Sequence, residues 1–169
     1  MAMQPLTALP VSADVFIDAN IFIYGLSGKS MECKKFLSRC ATEEIFGFSL
    51  YEVVNEATHH LMTAEACKKG LIKSPSTDLL RKKFHVIPAL VDYWEETKRI
   101  LNLNLGFVAN ERDIVLSAHP ERQAACLRTN DSMIVSCMRT YGITNLASND
   151  SEFDRVVGIV VYKPSDVVS

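Results

Sequence analysis

The sequence predicts an α/β fold in which helices cover both faces of a mainly parallel sheet. Three observations lead to this prediction. Short apolar runs of strand length alternate with longer segments whose apolar residues recur at helical spacing. The 169 residues, 48% of them apolar, are enough for one domain with a sizeable core. The chain also has no internal repeat or linker, so we expect the alternation to build a single domain over residues 1–169.

The first half of the chain is expected to supply two strands. Residues 1–13 form a loose leader before the first strand, Asp14–Ile17, and a short helix follows over Asn20–Tyr24. The longest helix begins with a capping box, because the Ser49 hydroxyl can bond the Glu52 amide while the Glu52 carboxylate reaches back. The other expected elements are a turn at Gly25–Gly28, a helix over Met31–Thr42, a strand over Glu44–Phe48 and a helix over Ser49–Lys69 that is closed by Gly70.

The second half is expected to add three strands and several helices. The three strands are expected at His85–Ile87, Ile143–Ala147 and Gly158–Tyr162. The helices are expected over Asp78–Phe84, over Leu90–Leu103, near Glu111–Ala118 with another after Pro120, and over Asp131–Tyr141, which ends at Gly142. A loop at Ser74–Thr77 and a helical turn at Asp150–Arg155 complete this half.

Composition narrows the class of protein. With 18 Lys and Arg against 20 Asp and Glu, the net charge of −2 gives no global attraction for a polyanion, although local basic patches can still meet phosphates. The five cysteines are scattered and form no CxxC pair, and the histidines show no ligand spacing with them, which argues against disulfides and zinc. No apolar stretch approaches the roughly 20 residues of a membrane span, and the N-terminus lacks a signal-peptide pattern. We therefore expect a soluble cytoplasmic protein with no membrane partner.

Four acidic residues fall where a parallel sheet would bring them together. Asp18 follows the first strand and Asp150 the fourth, while Glu56 lies in the second turn of the helix after strand two. Asp131 begins the helix that runs back before strand four. The carboxyl ends of parallel strands and the N-termini of the helices after them share one edge. The four carboxylates therefore converge, and cations would be needed to keep them ionised side by side.

Each acid also has a purely structural interpretation. Asp18, Asp131 and Asp150 could cap helices or place a favourable charge at a helix N-terminus, and Glu56 could be a solvated helix charge. Four independent caps need not share one edge of the sheet, however. Taken together, the four positions favour a functional site.

Four segments of the chain resemble the motifs of a known family. FIDANIFIY, SLYEVVNEATHHL, NDSMIVSCMRTYGI and LASNDSEFDRV, in this order and spacing, resemble the PIN domain, a group of metal-dependent ribonucleases that includes VapC-type toxins. The resemblance spans about residues 15–164. It implies a three-layer αβα PIN-like fold with the five strands in the order 3-2-1-4-5. It also implies RNA cleavage that leaves a 5′-phosphate and a 3′-hydroxyl.

The resemblance also implies roles for individual residues. Glu56 matches the helical glutamate of the family better than Glu52, to which the capping box already gives a structural role. Asn20 matches the polar residue that orients the site, Ser148 stands at the place of a serine or threonine, and Asp154 is an auxiliary acid. The four acids matched to the family's catalytic carboxylates are Asp18, Glu56, Asp131 and Asp150, of which Asp18, Asp131 and Asp150 would hold metal.

An all-oxygen site of this kind suits a hard cation, so Mg²⁺ or Mn²⁺ is the expected cofactor. The expected substrate is single-stranded or looped RNA, held by basic side chains around the acids. Further expected partners are an antitoxin protein and a second copy of the chain in a homodimer. Each basic candidate is explained equally well as a solvated helix face; the candidates are Lys68, Lys69, Lys73, Arg81, Lys82, Lys83, Arg128 and Arg139.

The same residues do not fit two other classes of protein that carry an acidic site on a parallel sheet. A signalling receiver domain needs an aspartate after its third strand, where this chain has Ile87, Pro88 and Ala89. A haloacid-dehalogenase-like phosphatase needs a second aspartate where Asn20 stands. Both are disfavoured. A housekeeping RNA-processing nuclease, and a PIN-like protein that binds RNA or a partner without cutting, remain alternatives to a VapC-type toxin, because fold does not fix function.

Overall fold

A parallel sheet of six strands forms the centre of the computed structural model, which describes residues 4–109 and 111–167. All five strand pairings in the described residues are parallel. The strands are β1 (Gln4–Pro5), β2 (Asp14–Ile17), β3 (Phe46–Leu50), β4 (Gly106–Val108), β5 (Asn145–Ala147) and β6 (Val160–Lys163). They lie in the order β1-β6-β5-β2-β3-β4, so the first strand of the buried core, β2, has β5 and β3 as neighbours.

Seven α-helices in the described residues cover this sheet. They are α1 (Ala19–Leu26), α2 (Met31–Ala41), α3 (Tyr51–Lys68), α4 (Thr77–Lys82), α5 (Asp92–Leu101), α6 (Arg112–Ala125) and α7 (Thr129–Tyr141), with short 3₁₀-helices at Leu6–Ala8, Phe84–Ala89 and Ser151–Arg155. Helices α1, α2, α3 and α5 pack on one another, and α6 packs on α7. Crossovers between parallel strands are right-handed as a rule, so the observed strand order puts these two groups on opposite faces of the sheet. The predicted three-layer αβα class is confirmed.

The core lies between these layers. Val15, Phe16 and Ile17 on β2 and Leu146 on β5 are fully buried, as expected for central strands that are covered on both faces. A second, smaller apolar cluster joins the end of α3 to α4 and the start of α5 through Ala66, Ile72, Leu80 and Leu90. None of the helices in the described ranges combines the length and the apolarity that crossing a membrane requires.

The predicted strand order needs two corrections. The expected third strand at His85–Ile87 is wrong, because these residues lie in the 3₁₀-helix Phe84–Ala89, where Pro88 has no amide hydrogen to offer a sheet. Strand β4 takes that place beside β3. Gly106 permits the close pairing, since a Cβ at this position would lie 2.6 Å from the Phe48 ring.

The second correction concerns the expected loose leader. Gln4 and Pro5 pair in parallel with Tyr162 and Lys163 of β6 and so add the sixth strand. Leu6 and Leu9, only 1% and 2% exposed, anchor the 3₁₀-turn that follows in the main core. Residues 1–3 lie outside the described residues. The sequence does not predict this strand, because two residues of β1 and two leucines three residues apart give no recognisable strand or helix period.

Two helix boundaries also differ from the predicted ones. The capping box at Ser49 is wrong: Ser49 lies within β3, where its hydroxyl donates to the Ile17 carbonyl (2.9 Å), and α3 begins two residues later. The two helices expected on either side of Pro120 are a single helix, α6.

Candidate active site

Asp18 lies at the carboxyl end of β2, where it caps α1, which begins at Ala19, one residue before the predicted start. Its side chain is 7% exposed. Oδ1 accepts a hydrogen bond from the Ala19 amide (2.7 Å). Oδ2 accepts from Nδ2 of Asn20 (2.5 Å) and from Oγ of Ser148 (2.6 Å). These three hydrogen bonds compensate for the burial of the carboxylate, and lone pairs remain on both of its oxygens.

Burial dominates the electrostatics of Asp18 and raises its pKa to about 7. The hydrogen bonds from Ser148 and Ala19 lower the pKa, whereas the nearby charges of Glu56 and Asp131 raise it further. Because two other acids act on Asp18, the predicted convergence at one edge of the sheet is realised. A nearby cation would stabilise the ionised form of Asp18.

Asn20 and Ser148 tie the ends of the neighbouring strands β2 and β5 together. The Ser148 hydroxyl also accepts from the amide of Asp150 (3.0 Å). The Asn20 carbonyl oxygen accepts from the Asn149 amide (3.0 Å), and its amide group also reaches Ser148 (3.2 Å). This network fixes Asp18 and Asp150 relative to each other, as expected of residues that orient a site.

Asp131 stands in the first turn of α7 and is 8% exposed. Its Oδ2 atom is buried, and no hydrogen bond from the described residues reaches it. Burial raises the pKa of Asp131 to about 6; Arg128 lowers it and the neighbouring acids raise it. Arg128 Nε lies 3.3 Å from this Oδ2 atom and offsets part of the cost of burying it. A bound cation would offset more of that cost.

Three carboxylates form the tightest acidic cluster in the described residues. Asp131, Asp150 and Glu152 each offer one oxygen, and these oxygens lie within 4.8 Å of one another. Asp150 caps the 3₁₀-helix Ser151–Arg155 by accepting from the Glu152 amide (2.8 Å). That turn brings the Glu152 side chain back toward the acids. The sequence reasoning missed Glu152; its position two residues after a capping aspartate was the available signal.

Asp154, the predicted auxiliary acid, has a different partner. Its carboxylate accepts a hydrogen bond from Nζ of Lys163 on β6 (2.8 Å). The structure therefore brings Glu152, rather than Asp154, into the acidic cluster.

Glu56 lies in the second turn of α3, with its side chain directed toward the start of α7. Its Oε2 accepts from Nδ2 of Asn130 (2.9 Å). A cavity of about 380 Å³ lies at this junction and is lined by Glu56, Arg128, Thr129, Asn130 and Asp131. The four predicted acids therefore gather at the carboxyl edge of the sheet, although Asp18 and Glu56 lie outside the tight cluster.

Arg128 crosses the rim of the cluster. Its Nη2 lies 2.9 Å from Oδ2 of Asp150, and its Nε lies 3.3 Å both from Oδ2 of Asp131 and from Oε2 of Glu152. The side chain remains 69% exposed. Arg128 therefore neutralises part of the acidic charge while its outer face stays open to solvent.

The other predicted basic residues lie elsewhere or have other partners. Arg139 bonds the Val157 carbonyl (2.6 Å) and lies about 12 Å beyond Asp131 along α7, at 1.5 Å per residue. Lys68 lies about 18 Å beyond Glu56 along α3 by the same measure. Lys69 pairs with Glu65, Arg81 with Asp78, and Lys83 with the Leu71 carbonyl, whereas Lys73 and Lys82 are exposed.

The acidic cluster fits a hard divalent cation. All of its candidate ligands are carboxylate oxygens, the donors that Mg²⁺ and Mn²⁺ prefer. The buried Oδ2 of Asp131, which accepts no hydrogen bond from the described residues, points to the same conclusion.

Comparison with known proteins identifies the family and the fold. A sequence model of the PIN domain matches residues 15–159, which include Asp18, Glu56, Asp131, Asp150 and Glu152. The chain belongs to the PIN domain family. This PIN domain is 29% identical over 150 residues to ribonuclease VapC2 of Methanocaldococcus jannaschii, a match that covers 84% of this chain and 88% of the relative. The predicted resemblance to VapC-like PIN proteins is confirmed.

Solved structures show the same PIN fold. The VapBC2 complex of Rickettsia felis, bound to a promoter DNA fragment, matches with a TM-score of 0.57 and 14% identity over 89% of this chain and 98% of that one. VapC20 of Mycobacterium tuberculosis, a sarcin–ricin loop cleaving toxin, matches with a TM-score of 0.55 and 13% identity. The match covers 86% of this chain and 96% of VapC20. A toxin–antitoxin complex from Klebsiella pneumoniae matches with a TM-score of 0.55 and 18% identity. The match covers 86% of this chain and 95% of that one.

Proposed function

We propose that this PIN domain protein is a metal-dependent endoribonuclease of the VapC type that hydrolyses phosphodiester bonds in single-stranded or looped RNA. The observation that carries the proposal is the carboxylate cluster at the carboxyl edge of the sheet, in which Oδ2 of Asp131 is buried and lies 3.3 Å from the Arg128 guanidinium. The name of the relative VapC2, a ribonuclease, supports the activity. The description of VapC20 as a toxin that cleaves an RNA loop supports the substrate class.

In this proposal Asp18, Asp131 and Asp150 hold Mg²⁺ or Mn²⁺, and Glu152 joins them as a further ligand. A divalent cation there supplies an activated water as the nucleophile and neutralises charge on the leaving oxygen. Asn20 and Ser148 keep Asp18 in position through their hydrogen bonds.

Glu56 and Arg128 have complementary tasks in the same proposal. Glu56, held by Asn130, adds negative charge beside Asp131 and so favours cation binding. Arg128 lies on the exposed rim, and its planar guanidinium suits a phosphate oxygen pair. We assign Arg128 to the RNA phosphate next to the scissile bond. In this proposal the other basic candidates contribute only longer-range attraction for the RNA.

The proposed partners are an antitoxin and a second copy of the chain. Two of the solved neighbours are toxin–antitoxin complexes, which supports an antitoxin for this protein. Val91, Trp94 and Leu101 are exposed apolar residues at helical spacing on and beside α5, which supports a homodimer contact there. Trp94→Glu is expected to convert a dimer into a monomer in light scattering; an unchanged mass would contradict this contact.

The function is tested by incubating the protein with total RNA in Mg²⁺, in Mn²⁺ and in EDTA, followed by mapping of the cut ends. The proposal predicts a limited set of cuts with 5′-phosphate ends in the presence of metal and none in EDTA. Cleavage that is unaffected by EDTA would contradict the metal-dependent mechanism. Binding of RNA without cleavage in any metal would favour the alternative of a non-cleaving PIN-like protein.

A further inference from the structure

A second cavity continues from the acidic site along α3. It measures about 420 Å³ and is lined by Glu52, Asn55, Glu56, His59, His60 and Asn130. Glu56 and Asn130 also line the cavity at the acids, so the two spaces adjoin. A strand of RNA whose backbone crosses the acids therefore has a neighbouring space for the part of the substrate next to the cut.

The lining residues follow from the period of α3. Asn55 and His59 are four residues apart, as are Glu56 and His60, so the side chains form two adjacent rows on one side of the helix. Asn55, His59 and His60 are exposed. His59 is held in place because Nε2 contacts Oγ1 of Thr77 at the start of α4 (2.8 Å). The lining thus comes from α3 and, at Asn130, from α7, while α4 holds His59 through Thr77.

The chemistry of this lining suits a nucleobase better than a phosphate. Its described residues include two carboxylates and no lysine or arginine, so a phosphate would meet like charge. Amide and imidazole groups offer both donors and acceptors, which is what the edge of a base requires. Imidazole rings also provide faces on which an unstacked base can stack. The carboxylates favour a base with an exocyclic amino group, because such a group offers N–H donors.

An exposed tyrosine, stacked on a half-buried phenylalanine, extends the same row toward the sheet edge. Tyr51, one helical turn before Asn55, is 50% exposed and stacks on Phe107 with the ring centroids 5.3 Å apart. Because the Phe107 ring stacks against one face of the Tyr51 ring, Tyr51 is held at the end of the row with its other face outward. It offers a further stacking surface for the next base.

We propose that the α3 cavity is a base-binding subsite that takes an amino-bearing nucleobase of the RNA next to the scissile phosphate. Asn55 and His60 contact the base, and His59, anchored by Thr77, forms the far wall. This subsite rests on the ribonuclease function proposed above. It would determine which base the RNA carries next to the cut.

The subsite is tested first with nucleosides, which lack phosphate and so probe base binding without catalysis. The chain has four histidines, and two of them, His85 and His119, lie outside the cavity and serve as internal controls. Guanosine, adenosine and cytidine are expected to shift the imidazole NMR signals of His59 and His60 more than uridine does. The signals of His85 and His119 should stay in place. Absence of any shift at His59 and His60, or equal shifts at all four rings, would overturn the proposal.

The second test separates the subsite from the activity. In an Asp18→Asn background, Asn55→Ala and His60→Ala are each expected to weaken binding of a short single-stranded RNA about tenfold, the usual effect of losing one base contact. His119→Ala is the matched control. In the otherwise unaltered enzyme, Asn55→Ala should relax base preference at one position beside the cut. Unchanged RNA affinity and unchanged preference, with cleavage intact, would reject the subsite alone. Failure of the unaltered protein to bind or cut any RNA would reject the proposed function.

Discussion

Arg128 gives a residue-scale prediction about the cation. Because its guanidinium contacts Asp150, Asp131 and Glu152, it competes with a metal for the same oxygens. Arg128→Ala is expected to raise Mn²⁺ affinity by about fivefold, since an exposed ion pair is worth up to about 1 kcal/mol. Isothermal titration on the RNA-free protein measures this directly. Arg128→Lys, which keeps the charge, is the control and should change the affinity less; weaker Mn²⁺ binding by Arg128→Ala would contradict the competition.

The site residues divide into those that the sequence could predict and those that it could not. Asp18, Glu56, Asp131 and Asp150 were located by one topological rule, which holds because parallel strands place all their carboxyl ends on one edge. Glu152 could not be located in this way, because its direction depends on the turn that Asp150 caps. The assignment of Asp154 came from the resemblance to the family, which gave no indication that Lys163 would pair with it.

The ends of α6 and α7 give a prediction at the scale of single elements. Both helices end with a residue in the left-handed region: Cys126 (φ 53°) after α6 and Gly142 (φ 68°) after α7. That conformation costs a residue with a Cβ roughly 1 kcal/mol, a cost that glycine avoids. Cys126→Gly should therefore raise the free energy of unfolding by about 0.5 kcal/mol, and Gly142→Ala should lower it by about 1 kcal/mol. Urea denaturation measures both, and changes of the same sign would contradict this explanation.

Glu65 links α3 to α5 and gives a prediction about pH. It is 6% exposed, and it accepts hydrogen bonds from Lys69 (2.5 Å) and from the amides of Val91 and Tyr93 (both 2.8 Å). Burial alone would raise its pKa, but these donors outweigh burial and lower the pKa from 4.5 to about 2. A carboxylate with a lowered pKa in the folded state stabilises the fold above its unfolded pKa and loses that contribution as the pH falls.

Glu65→Gln is therefore expected to cost about 2 kcal/mol of unfolding free energy at pH 7, where the carboxylate is fully ionised. The difference from the unaltered protein should shrink as the pH falls from 4.5 toward 2. Lys69→Ala, which removes one donor of the three, should cost less at pH 7. A pH-independent effect of Glu65→Gln would contradict the role of the charged form.

Element prediction succeeded where the apolar period was long and failed where short segments depended on distant partners. The helices Met31–Ala41 and Thr129–Tyr141 lie close to their predicted bounds. The strand β4 has three residues, and its pairing depends on the absence of a side chain at Gly106 beside Phe48. The Ser49 capping box failed because the hydroxyl found a better acceptor in the neighbouring strand, the Ile17 carbonyl.

At the scale of the whole molecule, the sheet order explains why residues far apart in sequence meet. Strand β5 pairs with β2, and this places Ser148 against Asp18 across a separation of 130 residues, with Asp150 bonded in turn to Ser148. Strand β3 lies on the other side of β2 and directs α3, with Glu56, toward the same edge. Helix α7, on the opposite face of the sheet, begins at the same edge and carries Asp131 in its first turn. The fold therefore assembles the acids, and the proposed catalysis depends on their shared charge.

The measurement that tests this claim most directly is the cleavage rate of one mapped RNA by Asp18→Asn in saturating Mn²⁺. Asn is nearly isosteric and removes the charge, so the account predicts a loss of at least about 100-fold with an unchanged circular dichroism spectrum. Asp113→Asn, on the exposed side of α6, is the control and should cleave at the unaltered rate. Cleavage by folded Asp18→Asn at the rate of the unaltered protein would contradict the account.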